Sequence, residues 1–480
     1  MRKAITDFKE MRVKSEGATH PLWQRIAVPF AIFSAFSWLI FRVLRRMYGF
    51  VDGGVLPRAR YSDFFEFYSA AVALIKGTDI YTAGALGYIY PPLLALLMTP
   101  LAMLPIAQAA WIWLIAKTSI LALCGWLGAK EIQQRFSQPT DWMSISIVFL
   151  LAMLMDIDKL LGEMAMQQSN LLVLLCFVLA LRWLDRHPLL SGLALGFGAN
   201  IKYVTLVALP YLLLRKRFRA AAATVAASVF WALLPALFVG WGRNMDMLRK
   251  AIGGLSNLSS SDSAAGSAKV FGPGWGISIP AFAVRFFGTG GQSHTALSVA
   301  VVCAVALLFC FAAWGIYRAS GIPLLRGRGG HIEMQGIMPG AVAIEWAGLI
   351  IITLVFSPQT SSPRLSMLLL PCIVAVSVLF LPQKKISGSP LILGLLIMFA
   401  GMILPIKNAG FAKASPLWNN LSGVMWCIMI MYLTLLWTGL RRLKAQTELE
   451  EVASAEAIRS HSQCAARLYQ KGDDCPESIK

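Results

Sequence analysis

Residues 293–317 read SHTALSVAVVCAVALLFCFAAWGIY, a run without any Asp, Glu, Lys or Arg. A helix needs about 20 predominantly apolar residues to cross the hydrocarbon core of a bilayer. The run therefore predicts a membrane-spanning helix, and similar runs recur along the chain. The predicted spans are residues 23–44, 106–128, 142–157, 169–185, 220–240, 293–317, 339–357, 364–382, 390–406 and 418–440.

The composition of the whole chain agrees with a membrane protein. Of its 480 residues, 57% are hydrophobic and only 14% are charged, whereas about 25% are charged in soluble domains. These values exclude a disordered chain, a fibrous repeat and an ordinary soluble enzyme. The net charge of +19 would suggest nucleic-acid binding in a soluble protein. Here the basic residues lie in short runs between apolar stretches, without a basic face of stacking aromatic residues, so we predict no nucleic-acid partner.

Two further apolar segments are interrupted. Residues 91–104 are short and rich in proline, and residues 189–214 are broken near Asn200 and Lys202. Broken helix backbone at membrane depth survives only where protein or a water-filled cavity satisfies its polar groups. The predicted fold class is an all-α polytopic membrane protein with about ten spanning helices, a pair of half-helices and outer interfacial helices.

The basic residues orient the chain in the membrane, because cytoplasmic loops carry an excess of Lys and Arg. Most basic runs share one side if each interrupted segment begins and ends on the same side. This arrangement predicts a basic cytoplasmic segment at 1–22, a membrane domain at 23–440 and a polar cytoplasmic tail at 441–480. The predicted outer loops are residues 45–105, 158–168, 241–292 and 357–364. The break near Lys202 then indicates a cavity that opens outward.

The first outer loop contains the best candidates for acid–base chemistry. Asp63 and Glu66 are three residues apart, so on a helix both would project from one face. Their neighbours Phe64, Phe65 and Phe67 suit a membrane boundary, where a carboxylate is partly removed from water. Its pKa can rise there, and it can accept a proton from a hydroxyl. We interpret Asp63 as a general base and Glu66 as an orienting acid; alternatively, Asp63 caps the helix and Glu66 is solvated.

Several polar side chains could bind a substrate. Lys202 is a cation in an apolar segment, which usually marks a ligand or a pathway, although a lysine can also snorkel to an interface. Arg364 has the planar fork that suits phosphate oxygens. Arg60 on the outer side could bind phosphate or an anionic head group, or could simply be tolerated beside a long loop. Gln168 and Asn170 could donate to sugar or phosphate oxygens, or could cap the next span.

Other titratable residues give weaker signals. Asp156, Asp158 and Glu163 follow the span at 142–157, and one of them could be a second acid, although a solvated loop also explains them. The five histidines are scattered, without the spacing of metal ligands, and the eight cysteines form no CxxC motif. We therefore predict neither a metal nor a cofactor.

Four motifs form an ordered set over most of residues 60–220. They are Asp63-Phe64 before a helix ending at Gly77, Ile80-Tyr81 with Tyr90-Pro91-Pro92-Leu93, Gln168-Ser169-Asn170-Leu171-Leu172, and Ser191-Gly192-Leu193 through Ile201-Lys202. Their order and spacing resemble glycosyltransferase family 87. One late motif departs from the family, which often carries Ser-Pro-x-Ser-Trp-x-His-His. This chain keeps Ser357-Pro358 but has Arg364 at the last position and neither the Trp nor the His residues.

The resemblance implies a GT-C-type bundle and an inverting, metal-independent transfer of a sugar, most often mannose. The donor would be a polyprenyl-phosphate sugar, a co-substrate rather than a cofactor, and the acceptor a glycolipid or glycan. The implied location is the outer side of the cell inner (plasma) membrane, with both termini cytoplasmic. The resemblance adds Tyr90 to the substrate-binding residues. One alternative is a transporter or flippase of lipid-linked sugars. The other is a non-catalytic subunit of a glycan assembly system, and the departure of the late motif from the family pattern favours this second alternative.

Overall fold

The computed structural model describes residues 21–51, 62–85, 87–259, 276–287, 292–322, 337–358, 360–381, 387–403 and 415–471. Within these ranges all regular secondary structure is helical. The α-helices are α1 (Leu22–Val51), α2 (Asp63–Lys76), α3 (Pro92–Leu97), α4 (Thr99–Ala102), α5 (Ile106–Arg135), α6 (Trp142–Met155), α7 (Ile157–Met166), α8 (Asn170–Trp183), α9 (Pro188–Ile201), α10 (Ala208–Leu214), α11 (Phe218–Leu233), α12 (Ala236–Val239), α13 (Trp241–Ser259), α14 (Ile279–Phe287), α15 (Gln292–Ser320), α16 (Ile337–Phe356), α17 (Leu369–Leu379), α18 (Ser389–Ile403), α19 (Ser415–Asn420) and α20 (Gly423–Lys471). Short 3₁₀ helices occupy Ile80–Thr82, Tyr203–Val207 and Ser362–Leu368.

The chain is an all-α polytopic membrane protein, as its sequence predicts. Seven helical segments in the described ranges are long and apolar enough to cross a bilayer. Helices α6, α8 and α18 also coincide with predicted spans, but they contain 14, 14 and 15 residues. The total of about ten spans therefore stays a prediction. Helix α20 continues without a break from the last predicted span to Lys471.

The interrupted segment after α8 has the predicted break. Helix α9 ends at Ile201, and Lys202 adopts an extended backbone with φ −148° and ψ 135°. Polar side chains satisfy carbonyl groups near this end, since Thr205 donates its hydroxyl to the Leu195 carbonyl at 2.8 Å and Asn200 donates to Gly196 and Ser228. Such internal satisfaction is the condition for broken backbone at membrane depth.

Close packing between α9 and α11 fixes this break in position. A Cβ atom at Gly192 would lie 2.4 Å from the Ala223 Cβ, and one at Gly196 would lie 2.6 Å from the Ala227 Cβ. Only glycine at these positions allows the two helix backbones to approach so closely. The glycine-rich motif of the sequence is thus a helix-packing surface, and it holds the following residue, Lys202, at the junction of α9 with the 3₁₀ helix.

Segment 158–168, which stays a predicted outer segment, contains most of helix α7. Helix α7 packs against the 3₁₀ helix Ser362–Leu368 and against α1. Its burial comes from Leu160, Leu161 and Met164, which are at most 2% exposed. These contacts bring the end of α7 and the start of α8 to the place where the 3₁₀ helix begins.

Candidate active site

Helix α2 places Asp63 at its first position. Ser62 is the N-cap residue without a capping bond from its side chain, and Gly77 ends the helix in the left-handed region at φ 75°. One interpretation of the sequence made Asp63 the helix cap, and this interpretation is wrong because Ser62 occupies the N-cap position. The partial positive charge of a helix N-terminus favours a carboxylate at this position. Among the described residues no hydrogen-bond donor reaches the Asp63 side chain, so it is open to a substrate hydroxyl.

Glu66 lies one turn later and holds the loop that follows α2. Its side chain is 6% exposed, and its Oε1 accepts the Ala85 N–H at 3.0 Å. A Cβ atom at Gly84 would lie 1.9 Å from the Glu66 Oε2. The alternative that Glu66 is solvated is therefore wrong. The contact ties the loop of residues 83–90 to the face of α2 that carries Asp63.

The end of this loop presents Tyr90 to the site. Its ring packs edge-on against Phe67, with ring centroids 5.5 Å apart. Tyr88 fixes the turn into α3, because its hydroxyl donates to the Pro91 carbonyl at 2.8 Å and accepts the Ala95 N–H at 3.1 Å. Burial raises the pKa of the Tyr90 phenol, which therefore stays protonated and can donate a hydrogen bond.

Lys202 approaches Tyr90 from the break after α9. Its Nζ lies 5.2 Å from the centroid of the Tyr90 ring, which is cation–π geometry. The residue is 4% exposed, so the alternative of a snorkelling lysine is wrong. Its ammonium donates to the Asn170 Oδ1 at 2.7 Å. No other hydrogen bond of this ammonium occurs in the described part of the chain, which leaves two N–H groups for a ligand.

Asn170 and Gln168 lie between Lys202 and a buried ion pair. Asn170 Nδ2 donates to Glu163 Oε2 at 2.7 Å and to Gln168 Oε1 at 2.6 Å. Glu163 is fully buried, and its Oε1 lies 3.2 Å from the Lys117 Nζ. Gln168 keeps its own amide N–H groups outside this network, which makes it the better donor to a ligand.

The interpretation of the acids near α7 as solvated is wrong for two of them. Glu163 is fully buried in the network just described, and Asp156 is 1% exposed at the junction of α6 and α7. Asp158 alone fits the solvated interpretation; its half-exposed carboxylate accepts from Lys159 at 2.9 Å. Glu163 thus joins the site through its contacts with Asn170 and Lys117.

Arg364 comes from a much later part of the sequence than the other residues of the site. It belongs to the 3₁₀ helix Ser362–Leu368, where its Nη1 donates to the Ser357 Oγ at 3.0 Å. Its guanidinium is close enough to act electrostatically on Tyr90 and on Lys202. The departing late motif therefore contributes a cation to the same site. Arg60, the remaining predicted residue, lies outside the described residues.

The charges around Asp63 set its protonation. Burial raises the pKa of this carboxyl to about 6, and Lys202 opposes that rise, while Glu163 adds to it. Asp63 is therefore ionised at neutral pH yet basic enough to accept a proton from a hydroxyl in a transition state.

Lys117 is the member of the site that the sequence interpretation missed. It is 1% exposed in the middle of α5, within a predicted span. A charge inside an apolar span is costly and usually functional, and that signal alone could have identified it. The partner, Glu163, is 46 residues away in sequence, so the pairing itself needed the fold.

Comparison with known proteins identifies a family for this chain. The family model described as glycosyltransferase family 87 matches residues 88–327, half of the chain. The matched range includes Tyr90, Lys117, Glu163 and Lys202, whereas Asp63 lies before it. No curated protein matches the chain.

Proposed function

The chain belongs to glycosyltransferase family 87, and on that premise we propose that it transfers a sugar, which the family resemblance indicates is mannose, from a polyprenyl-phosphate donor to a glycolipid or glycan acceptor. Membership makes the chain a membrane glycosyltransferase. The observation that carries the finer proposal is the convergence of a carboxylate, Asp63, and two cations, Lys202 and Arg364, from three distant segments of the chain. A base and an anion site are the two elements that such a transfer needs.

The phosphate of the donor would lie against Lys202 and Arg364. Both side chains keep hydrogen-bond donors outside the contacts of the described residues, and charge-assisted bonds to phosphate are the strongest that they can form. The guanidinium offers a planar pair of N–H groups, and the ammonium offers a compact charge. Tyr90 and Gln168 add neutral donors beside them.

Transfer then follows in one displacement. The Asp63 carboxylate accepts the proton of the acceptor hydroxyl as its oxygen attacks the anomeric carbon. The bond between that carbon and the phosphate oxygen breaks, and its electron pair leaves with the lipid phosphate. Lys202 and Arg364 stabilise the charge that develops on the phosphate, and fixed charges of this kind need no reorganisation during reaction. A single displacement inverts the anomeric centre, and this scheme requires no metal.

The protein would act at the outer face of the cell inner membrane, with both termini in the cytoplasm. The distribution of basic loops supports this orientation. A cysteine at Ser362, an exposed position near Arg364, should react with an impermeant maleimide in intact cells, above the background from native cysteines. A cysteine at Gln134, exposed at the far end of α5, should react only after the cells are opened. The reverse pattern would invert the orientation.

The transfer itself is tested with purified protein in liposomes that contain polyprenyl-phosphate mannose and a membrane lipid extract. Mass spectrometry should find an extract component that gains one hexose, together with free polyprenyl phosphate. Protein-free liposomes are the control. Movement of the intact donor between leaflets without a new glycosidic bond would indicate a carrier. The absence of both would favour a non-catalytic subunit.

A further inference from the structure

A second lysine lies behind the proposed phosphate site. Lys117 is buried in α5, and its Nζ contacts Glu163 twice: at 3.2 Å from Oε1 and at 2.8 Å from the backbone carbonyl. Glu163 is fully buried in α7. Two opposite charges removed from water in this way are costly unless they neutralise each other and their remaining bonds are satisfied. The Lys117 ammonium meets this condition for Glu163, so the carboxylate can stay ionised in the interior and bind a neighbouring side chain.

The carboxylate of Glu163 fixes the orientation of Asn170. Its Oε1 accepts the Asn170 backbone N–H at 3.2 Å, and its Oε2 accepts the side-chain N–H at 2.7 Å. A carboxylate can only accept, and an ammonium can only donate. Asn170 must therefore turn its amide nitrogen towards Glu163 and its amide oxygen towards Lys202, as the 2.7 Å bond from Lys202 shows.

This arrangement keeps the charge of Lys202 uncompensated by direct contact. Its hydrogen bond goes to a neutral amide and its other contact is the face of the Tyr90 ring. Two carboxylates, Asp63 and Glu163, act on this ammonium through space, and Glu163 is already paired with Lys117. Without Lys117, the buried Glu163 would need another cation. Lys202 is the cation at hand, because the Asn170 side chain bonds both Glu163 and Lys202.

We propose that Lys117, Glu163 and Asn170 are positioning residues that hold Lys202 in place and keep its positive charge available for the phosphate of the lipid-linked donor. The inference rests on the proposed function, because it assumes that an anion binds at Lys202. Lys117 neutralises Glu163, Glu163 orients Asn170, and Asn170 orients the ammonium. None of the three needs to touch the substrate.

The test measures the donor KM, kcat and binding of polyprenyl phosphate in vesicles for Lys117→Met. Its donor affinity should fall about 10- to 100-fold, the size of one charge-assisted hydrogen bond, while the acceptor KM stays near that of the wild type. Lys117→Arg, which keeps the charge, should recover most of the loss. The double variant Lys117→Met/Glu163→Gln should recover part of the affinity, because it removes both charges together but also removes the carboxylate that orients Asn170.

Lys130→Met is the matched control, since it removes a lysine from the same helix outside the site, and it should leave donor affinity unchanged. A double-mutant cycle separates positioning from general destabilisation. If Lys117 acts through Lys202, Lys117→Met should have little further effect on donor affinity in a Lys202→Met protein. Asn170→Asp offers a second route if Lys117→Met folds poorly, because it places a carboxylate against Lys202 and should weaken donor binding similarly.

Two results would overturn the inference. One is an unchanged donor affinity in well-folded Lys117→Met and Asn170→Asp proteins. The other is a full, additive effect of Lys117→Met in the Lys202→Met background. Failure of the proposed function is distinguishable, because the wild-type protein itself would then bind no polyprenyl phosphate. A purely structural role would lower the thermal stability of all these variants. Neither Lys117→Arg nor the double variant Lys117→Met/Glu163→Gln would then recover donor affinity.

Discussion

Two of the buried charge clusters in the described residues, one around Glu345 and one at the candidate active site, differ in how completely their bonds are satisfied. In the first, Glu345 of α16 accepts from the Arg215 Nε at 2.8 Å and also from the Arg215 Nη2. The hydroxyls of Tyr211 and Tyr317 each donate to it at 2.8 Å. Both carboxylate oxygens therefore have two donors, and one acid meets one base.

The second cluster, the candidate active site, is left open at the positions where a substrate would bind. Asp63 receives no hydrogen bond from the described residues, Lys202 makes one and Arg364 makes one. Behind them, Lys117 is paired with Glu163, whose carboxylate oxygens also accept from Asn170. A saturated cluster holds helices together, and an open one binds a ligand. The comparison therefore favours a structural role for the first cluster and supports the proposed chemistry at the second.

The largest expected effect is loss of turnover in Asp63→Asn. The amide keeps the shape of the side chain but cannot accept the proton of the acceptor hydroxyl. A positioned base contributes about 10²- to 10⁴-fold to rate, so kcat should fall by at least the lower factor while the donor still binds. The measurement is hexose transfer in liposomes.

Two acids of the same region are controls for Asp63→Asn. Asp79→Asn should transfer normally, because Asp79 pairs with Lys250 outside the site. Glu66→Gln should lose less activity than Asp63→Asn, because Glu66 holds the loop at Ala85. Near-normal transfer by a folded Asp63→Asn protein would remove Asp63 from the mechanism and leave Glu66 as the next base to test.

The next effect concerns the saturated cluster. Glu345→Gln leaves the Arg215 guanidinium buried without its counter-ion, and breaking a buried pair costs about 3–5 kcal/mol of stability. Thermal unfolding in detergent should therefore shift to lower temperature. Transfer per folded molecule should stay close to that of the wild type. A loss of transfer with unchanged stability would break the comparison between the two clusters.

A smaller effect is expected from the cations of the open cluster. Lys202→Met or Arg364→Met should weaken donor binding by about 10- to 100-fold, because each removes charge-assisted hydrogen bonds of about 1.5–3 kcal/mol. Stability should change less than in Glu345→Gln, since no buried carboxylate loses its only partner. Binding of polyprenyl phosphate to vesicles containing each variant measures this directly. Unchanged affinity in both would return Lys202 and Arg364 to a structural role.

Much of this site could be predicted from the sequence, because its members stand out locally. Asp63 follows a polar segment and begins an aromatic helix, and Lys202 is a cation at a break in an apolar run. The sequence also places Arg364 just after a Ser-Pro turn. These signals need only the contrast between a residue and its neighbours, and the same contrast predicted nearly all the helices.

The pairing of charges could not be predicted in the same way. Glu163 has the local sequence of a loop acid, and only the packing of α5 against α8, which brings Lys117 to the end of α7, shows that it is buried. Glu345 and Arg215 are 130 residues apart and meet only because α10 reaches α16. Whether a charged side chain is saturated or open is a property of contacts in three dimensions, and that property separates the two clusters.

The smallest effect, and the one that sharpens the comparison most, is the pH dependence of transfer. Asp63 lies outside the candidate spanning helices, and burial raises the pKa of its carboxyl to about 6. The ionised form is the active base, so kcat/KM of the free enzyme should be half-maximal near pH 6, about a tenth of maximal at pH 5, and level above pH 7.

Lys202 lowers the pKa of Asp63, so Lys202→Met should move the midpoint of the pH profile to higher pH, whereas Glu345→Gln should leave it in place. A profile of initial rates from pH 5 to 8 for the three proteins measures both shifts. A midpoint that moves equally in both variants would mean that the two clusters do not differ in their access to the reaction.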